Sequence, residues 1–166
     1  MAKVLYVDLN RCIYCRSCEV ACEREHGGRS NMFVVLLEQR FPVPMSCRHC
    51  EKSPCRAVCP AEAISRVQGA VLIDTMKCIG CKLCAMVCPF GVIQLDHLTR
   101  TVKKCDLCAH RTALGSPPAC VATCPGRALA YEEFDDIMRR VKEKSALTLL
   151  SGVGSGPGVV VTAPVK

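Results

Sequence analysis

The chain has 166 residues, sixteen of them cysteine, no Trp, only four Phe and three Tyr, and a formal charge of +7 at pH 7. That length allows one ordinary domain or two small ones, and so little aromatic bulk leaves a weak core that cysteine chemistry must reinforce. No apolar run approaches the roughly 20 residues of a membrane span, and no basic patch interleaved with aromatics supports nucleic-acid binding.

The N-terminus, Met-Ala-Lys-Val-Leu-Tyr-Val-Asp-Leu, carries neither a basic segment with an apolar run nor a twin-arginine leader. The expected location is cytoplasmic, where a thiol-rich chain binds metal rather than forming disulfides. Lys3–Asp8 alternates as a short strand, and Cys18–Glu25 reads as a short helix broken by Gly27 and Gly28. Met32–Glu38 suits a buried strand, and Phe41–Pro44 is an extended lead-in to Cys47. Val71–Asp74, Val92–Asp96 and Thr101–Lys103 read as further strands. Tyr131–Lys144 places Tyr131, Phe134, Ile137, Met138 and Val141 at helical spacing. Residues 145–166, rich in Ser, Gly, Pro and Val, read as a loose tail or as an arm that packs on a partner subunit or a second copy.

All sixteen cysteines fall into four quartets between these elements. They are Cys12-x2-Cys15-x2-Cys18-x3-Cys22, Cys47-x2-Cys50-x4-Cys55-x3-Cys59-Pro60, Cys78-x2-Cys81-x2-Cys84-x3-Cys88-Pro89 and Cys105-x2-Cys108-x11-Cys120-x3-Cys124-Pro125. Thiolates two residues apart wrap one iron–sulfur cube, with backbone N–H groups directed at its sulfides. The third quartet matches the bacterial ferredoxin run, whose fourth cysteine serves the neighbouring cluster. A proline directly after that cysteine suits the first position of a helix, where no N–H is needed. One phrase recurs after three quartets: Cys59-Pro-Ala-Glu-Ala-Ile64, Cys88-Pro-Phe-Gly-Val-Ile93 and Cys124-Pro-Gly-Arg-Ala-Leu129. Cys22, followed by Glu23, departs from it.

The fourth quartet alone would also suit structural zinc, so zinc there stays open. A disulfide framework fits poorly, because cysteines this close in sequence are badly placed to pair. Basic residues crowd the quartets, among them Arg11, Arg16, Arg48, Lys52, Arg56, Lys77, Lys82, Lys103, Lys104 and Arg111. Four oxidised all-cysteine clusters would contribute about −8 and bring the holo-protein near −1, so the basic excess reads as internal compensation. No catalytic constellation accompanies the cysteines: His26, His49, His97 and His110 are scattered. His49 reads as a hydrogen-bonding neighbour of its cluster, and Ile13 and Tyr14 as shields against water.

On these motifs, over about residues 1–143, the chain resembles the four-cluster ferredoxin-type iron–sulfur subunits of molybdenum and tungsten oxidoreductases, carbon monoxide dehydrogenase and hydrogenases. The resemblance implies an α+β fold of two pseudo-symmetric bacterial-ferredoxin-like modules with crossed cluster ligation, plus a C-terminal helix and tail. Residues 1–40 and 101–130 would form one module, 41–100 the other, 131–144 the helix and 145–166 the tail. It also implies four [4Fe–4S] clusters with the sixteen cysteines as iron ligands. Cys12, Cys15, Cys18 and Cys124 would hold the first, and Cys105, Cys108, Cys120 and Cys22 the second. Cys47, Cys50, Cys55 and Cys88 would hold the third, and Cys78, Cys81, Cys84 and Cys59 the fourth.

The implied role is electron transfer without catalysis. The chain would relay electrons between a large catalytic subunit, molybdenum- or tungsten-dependent and oxidising an aldehyde or formate, and a second redox subunit such as a flavoprotein NAD reductase or a hydrogenase. The small ferredoxin-like subunit of a tungsten aldehyde oxidoreductase, in anaerobic metabolism, is the nearest resemblance. A freestanding soluble polyferredoxin and a zinc-binding interaction module are the alternatives.

Overall fold

The structure, a computed structural model, describes residues 3–150, with side chains through 147. Residues 5–131 form one compact unit; Lys3, Val4 and the segment from Glu132 belong to a second. The strands are β1 (Lys3–Val7), β2 (Phe33–Leu37), β3 (Phe41–Met45), β4 (Ile64–Val67), β5 (Ala70–Ile73), β6 (Gln94–Asp96), β7 (Thr101–Lys103) and β8 (Leu129–Glu133). The helices are α1 (Ser17–Glu25), α2 (Pro54–Ala57), α3 (Leu83–Met86), α4 (Ala109–Thr112), α5 (Ala119–Thr123) and α6 (Phe134–Leu150).

The strands pair as ribbons rather than as one sheet: β1 with β8, β2 with β3, β4 with β5 and β6 with β7. The last three pairs are antiparallel hairpins. In β4–β5, Gln68 and Gly69 both have positive φ, 47° and 87°, the backbone of a two-residue hairpin turn that matches strand twist. Isolated ribbons are marginal in water, so each must close on something else.

They close on two buried clusters, each containing cysteine among its apolar side chains and ringed by more. One contains Cys18, Cys22, Met32, Val34, Cys120 and Leu129, with Val7, Cys12, Val121 and Cys124 against it. The other contains Ile64, Val71, Cys84, Ile93 and Val102, with Cys55, Cys59, Cys78, Cys88 and others against it. The first draws on the first and fourth quartets, the second on the second and third. Arg48, stacked 5.9 Å over the Phe90 ring, adds a tie between those latter two.

Three elements differ from the sequence reading. β4 was not visible, because only Ile64 in it is buried and no alternation shows. Phe41–Pro44 is more than a lead-in, since β3 pairs with β2 from Phe33↔Met45 to Leu37↔Phe41. Tyr131 lies in β8, and the helix begins at Phe134 and runs to Leu150, taking in 145–150 of the expected tail. The apolar spacing extended the helix backwards by one turn; among its described side chains the one buried residue is Ile137. The rest of that tail, 151–166, lies outside the described residues. No helix among the described residues is long and apolar enough to cross a membrane.

Candidate iron–sulfur centres

Each quartet is shaped by backbone that L-residues adopt reluctantly. The residue before the second cysteine has positive φ in all four: Tyr14 at 58°, His49 at 47°, Gly80 at 68° and Leu107 at 58°. A second set lies three residues after the fourth cysteine of three quartets: Glu62 at 48°, Gly91 at 59° and Arg127 at 49°. There each amide donates to the carbonyl of its cysteine, Cys59, Cys88 or Cys124, at 3.2 Å. Left-handed non-glycine residues cost about 1–3 kcal/mol each and persist only where the surroundings enforce them. Such turns swing successive N–H groups to one side and make a concavity for an anion.

Several of those amides already reach sulfur. Cys59 Sγ accepts from the Ala63 amide at 3.3 Å and Cys124 Sγ from the Ala128 amide at 3.2 Å, the same place in the recurring phrase. Cys47 Sγ accepts from His49 N–H and Cys105 Sγ from Leu107 N–H, both at 3.4 Å. Cys22 differs. It sits inside α1, which continues to Glu25 where the other quartets turn, and its sulfur accepts from the Asn31 amide at 3.3 Å.

Two cavities gather cysteines from different quartets. One is lined by Cys78, Cys81 and Cys84 together with Cys59, under Ile64, Ile73, Ile79 and Val102. The other is lined by Cys12, Cys15 and Cys18 together with Cys124, beside Ile13, Val34, Pro44 and Leu129. In each, three thiols come from one quartet and the fourth from the cysteine that precedes a proline in another. Cys81 and Cys15 are the two exposed cysteines.

Of the other thiols, Cys22, Cys108 and Cys120 are buried and Cys47, Cys50, Cys55 and Cys88 half-buried. Burial pushes Cys105 up to about 12, with Cys47 and Cys22 among the neighbours adding to it. Cys120 is driven higher still by burial, then by Cys105, Cys108, Cys22 and Cys18. Cys55 is raised by burial, with Cys47 and Cys88 contributing. Cys50 is anchored through its carbonyl, which accepts from Arg66 at 2.9 Å and from the Ser53 amide at 3.2 Å.

This chemistry fits iron–sulfur clusters. Thiols clustered this way cannot all ionise on their own, because burial and mutual repulsion hold the protons on. Bound cationic iron would remove both penalties. Among the described residues every cysteine is a free thiol.

Histidines stand closer to the thiols than their scatter in sequence suggested. His26 Nδ1 lies 3.6 Å from Cys22 Sγ and its Nε2 is 3.0 Å from Asp106. Asp106 first, then Cys22, raises the His26 pKa to about 11. The four-residue spacing of Cys22 and His26 on one helix was the readable signal. His26, Asp106 and Cys108 bring three ligand atoms within 4.8 Å, at the edge of the Cys22 group. Glu25, one residue before His26, pairs with His110 at 2.6 Å and Arg111 at 3.1 Å.

A family described as "4Fe-4S dicluster domain" matches residues 38–134. The chain belongs to that family. It is thus an iron–sulfur protein, and its first quartet lies outside the matched span. Among curated proteins it is 33% identical over 192 residues to Formate hydrogenlyase subunit 2 of Escherichia coli (strain K12), covering 93% of each chain. It is 38% identical over 157 residues to the Thiosulfate reductase electron transfer subunit PhsB of Salmonella typhi, across 85% of this chain and 82% of that one. An "Iron-sulfur protein" of Rhodospirillum rubrum is 36% identical over 168 residues, 86% of this chain and 88% of its own.

Proposed function

We propose that the chain is a non-catalytic electron-transfer subunit carrying four [4Fe–4S] clusters. The observation that carries this reading is the pair of cavities in which three thiols of one quartet meet the proline-preceding cysteine of another. They support the crossed sets Cys12, Cys15, Cys18, Cys124 and Cys78, Cys81, Cys84, Cys59. The mutual influence of Cys22, Cys105, Cys108 and Cys120 supports a third set. That of Cys47, Cys55 and Cys88 supports a fourth, completed by Cys50. The two cysteine-ringed cores support a division into two ferredoxin modules.

When bound, each cluster accepts and releases one electron. The electrostatic influence of Cys18 on Cys120, of Cys47 on Cys105 and of Cys55 on Cys84 supports an arrangement of the four sets in a row. Electrons would therefore enter beside exposed Cys15 or Cys81 and cross the buried middle. Ile13, 66% exposed, and Ile79, 69% exposed, sit at those two mouths and would exclude water once a partner covers them.

The relatives are named for formate hydrogenlyase and thiosulfate reductase, which supports a catalytic subunit at one mouth and a second redox subunit at the other. A molybdenum or tungsten enzyme, the aldehyde-oxidising tungsten class included, is the catalytic partner this reading expects. The test is iron, acid-labile sulfide, molybdenum, tungsten and zinc on anaerobically purified protein with whatever co-purifies. About 16 iron and 16 sulfide per chain are expected from four cubanes. Iron near 12, or zinc in its place, would remove one set, and purification without any partner would favour a freestanding polyferredoxin.

A further inference from the structure

Lys104 follows β7 and is buried, 5% exposed. Its ammonium donates to the carbonyl oxygens of Val71 and of Cys105, the latter at 3.1 Å. Neither acceptor carries a charge, and no carboxylate among the described residues pairs with it. Asp106 lines the same cleft but is held by His26 at 3.0 Å and by the Cys108 amide at 2.9 Å. A buried cation without an anion is costly, so an anion must meet it in the working protein.

His49 has the complementary lack. Its Nδ1 accepts the Val71 amide at 2.9 Å, so the neutral ring carries its proton on Nε2. That Nε2 is buried and has no partner among the described residues. Lys104 and His49 thus hold the carbonyl and the amide of one residue, Val71. Around them lie thiols of two different sets. Lys104 adjoins Cys105, its charge reaches Cys55, and Cys47 in turn acts on Cys105. A cation lacking its anion and a donor lacking its acceptor thus flank one residue, Val71, with thiols of both sets around them.

We propose that Lys104 is a fixed positive charge at the seam between the Cys22, Cys105, Cys108, Cys120 set and the Cys47, Cys50, Cys55, Cys88 set. It raises the reduction potentials of both inner clusters, and His49 Nε2–H donates to a cluster sulfur on the same seam. The inference rests on the four-cluster reading. Each reduction adds one electron and one negative charge; no bond forms or breaks. A cation and an N–H donor stabilise the reduced form more than the oxidised one. Lys104 is a positioning charge that touches no substrate, and its purpose would be to keep those two sites reducible.

The test is a dithionite redox titration of the full-length loaded protein followed by electron paramagnetic resonance, with iron measured on every sample. K104Q keeps donors for the two carbonyls and removes the charge; K104R keeps the charge. In K104Q two of the four reduction equilibria should fall about tenfold or more, about 59 mV per decade for one electron, while the other two stay. K104R should leave all four in place. H49N keeps an acceptor for Val71 but places no donor where Nε2 lies, and should lower one of the same two by a smaller factor. Four unmoved midpoints in K104Q, or four that shift together, would overturn the proposal. If K104Q loads fewer clusters and K104R loads all, the need for charge stands; if both load fewer, it falls. Wild-type protein with fewer than four clusters would fail the parent reading before any variant is compared.

Discussion

Cys81 and Cys105 each belong to a quartet with the same first spacing, C-x2-C, and they live in opposite surroundings. Cys81 is exposed beside Ile79 and Lys82, at the mouth of a cavity. Cys105 is enclosed, its thiol pushed up to about 12 by burial. The motif sets the local loop and its left-handed residue; the surrounding ribbons decide whether that loop faces water. On the proposed four-cluster reading, outer sites of this kind would exchange electrons with another protein, and inner sites would only pass them along. Potential is correspondingly set by different means: by solvent and surface charge at the mouths, by fixed groups inside.

The largest expected effect removes the contrast altogether. Cysteines stand in and around both buried cores, so stripping iron with a chelator under reducing conditions should abolish cooperative unfolding followed by circular dichroism. A chain that kept a cooperative transition without iron would have a core of its own after all. Next in size is the replacement of one ligand at each kind of site. Cys105→Ser and Cys81→Ser should each lower iron by up to about four per chain. Only C105S should interrupt electron passage between a donor at one mouth and an acceptor at the other while leaving both outer clusters reducible. Equal interruption and equal survival of the outer clusters in both variants would erase the distinction between inner and outer sites.

Gly80 sharpens the comparison at the outer site. Its φ is +68°, and a Cβ there would run into the carbonyl oxygen of Arg100. Gly80→Ala should cost about 1–3 kcal/mol and loosen the Cys59, Cys78, Cys81, Cys84 group before any other. Loss of one quarter of the iron on mild heating is the readout. Surface charge comes after it. Arg16 is bound to Glu19 at 2.7 Å, whereas no carboxylate among the described residues pairs with Lys82. Lys82→Glu should therefore lower the potential of its cluster more than Arg16→Glu does, because part of the Arg16 charge is already offset. Equal shifts in a redox titration would count against that pairing.

Much of the site was legible because iron–sulfur ligation is written in spacing. The four quartets and the recurring Cys-Pro phrase are visible from residue positions alone, whereas the two-against-two grouping came only with the family resemblance. The backbone that shapes each loop was not. Only Gly80 announces a left-handed residue before the second cysteine; Tyr14, His49 and Leu107 occupy the same conformation with side chains that give no sign of it. Aligning the quartets on that glycine would have exposed the other three. β4 and the start of α6 were missed for other reasons. Only Ile64 in β4 is buried, so no alternation marks that strand, and Tyr131 falls in phase with the apolar positions of α6 although it lies in β8. Lys104 could be counted among basic neighbours, but its burial and its carbonyl partners depend on β5 and β7 coming together.

The smallest effect concerns Asp96, the buried carboxylate that closes the β6–β7 ribbon. It lies 2.7 Å from Lys103 and 3.4 Å from Arg29, and Arg29 also donates to the Leu95 carbonyl at 2.9 Å. The hydrogen bond from Lys103, helped by the Leu98 and Thr99 amides against the opposing effect of burial, holds its carboxyl well below the usual carboxylate range. A depressed acid contributes stability that is full above its unfolded value, about 3.9, and is lost only as pH falls towards its folded value. Asp96→Asn should therefore lower the urea midpoint by the same amount from pH 8 down to about 5, and by less once the pH falls below about 4. A gap that stays equally wide below about pH 4 would mean that Asp96 titrates normally and that the Lys103 pairing is not maintained in solution. Because this ribbon carries no cysteine, the same variant should leave iron content and all four midpoints where they were. A shift in any of them would show that the ribbons and the thiol groups are coupled more tightly than the contrast between inner and outer sites allows.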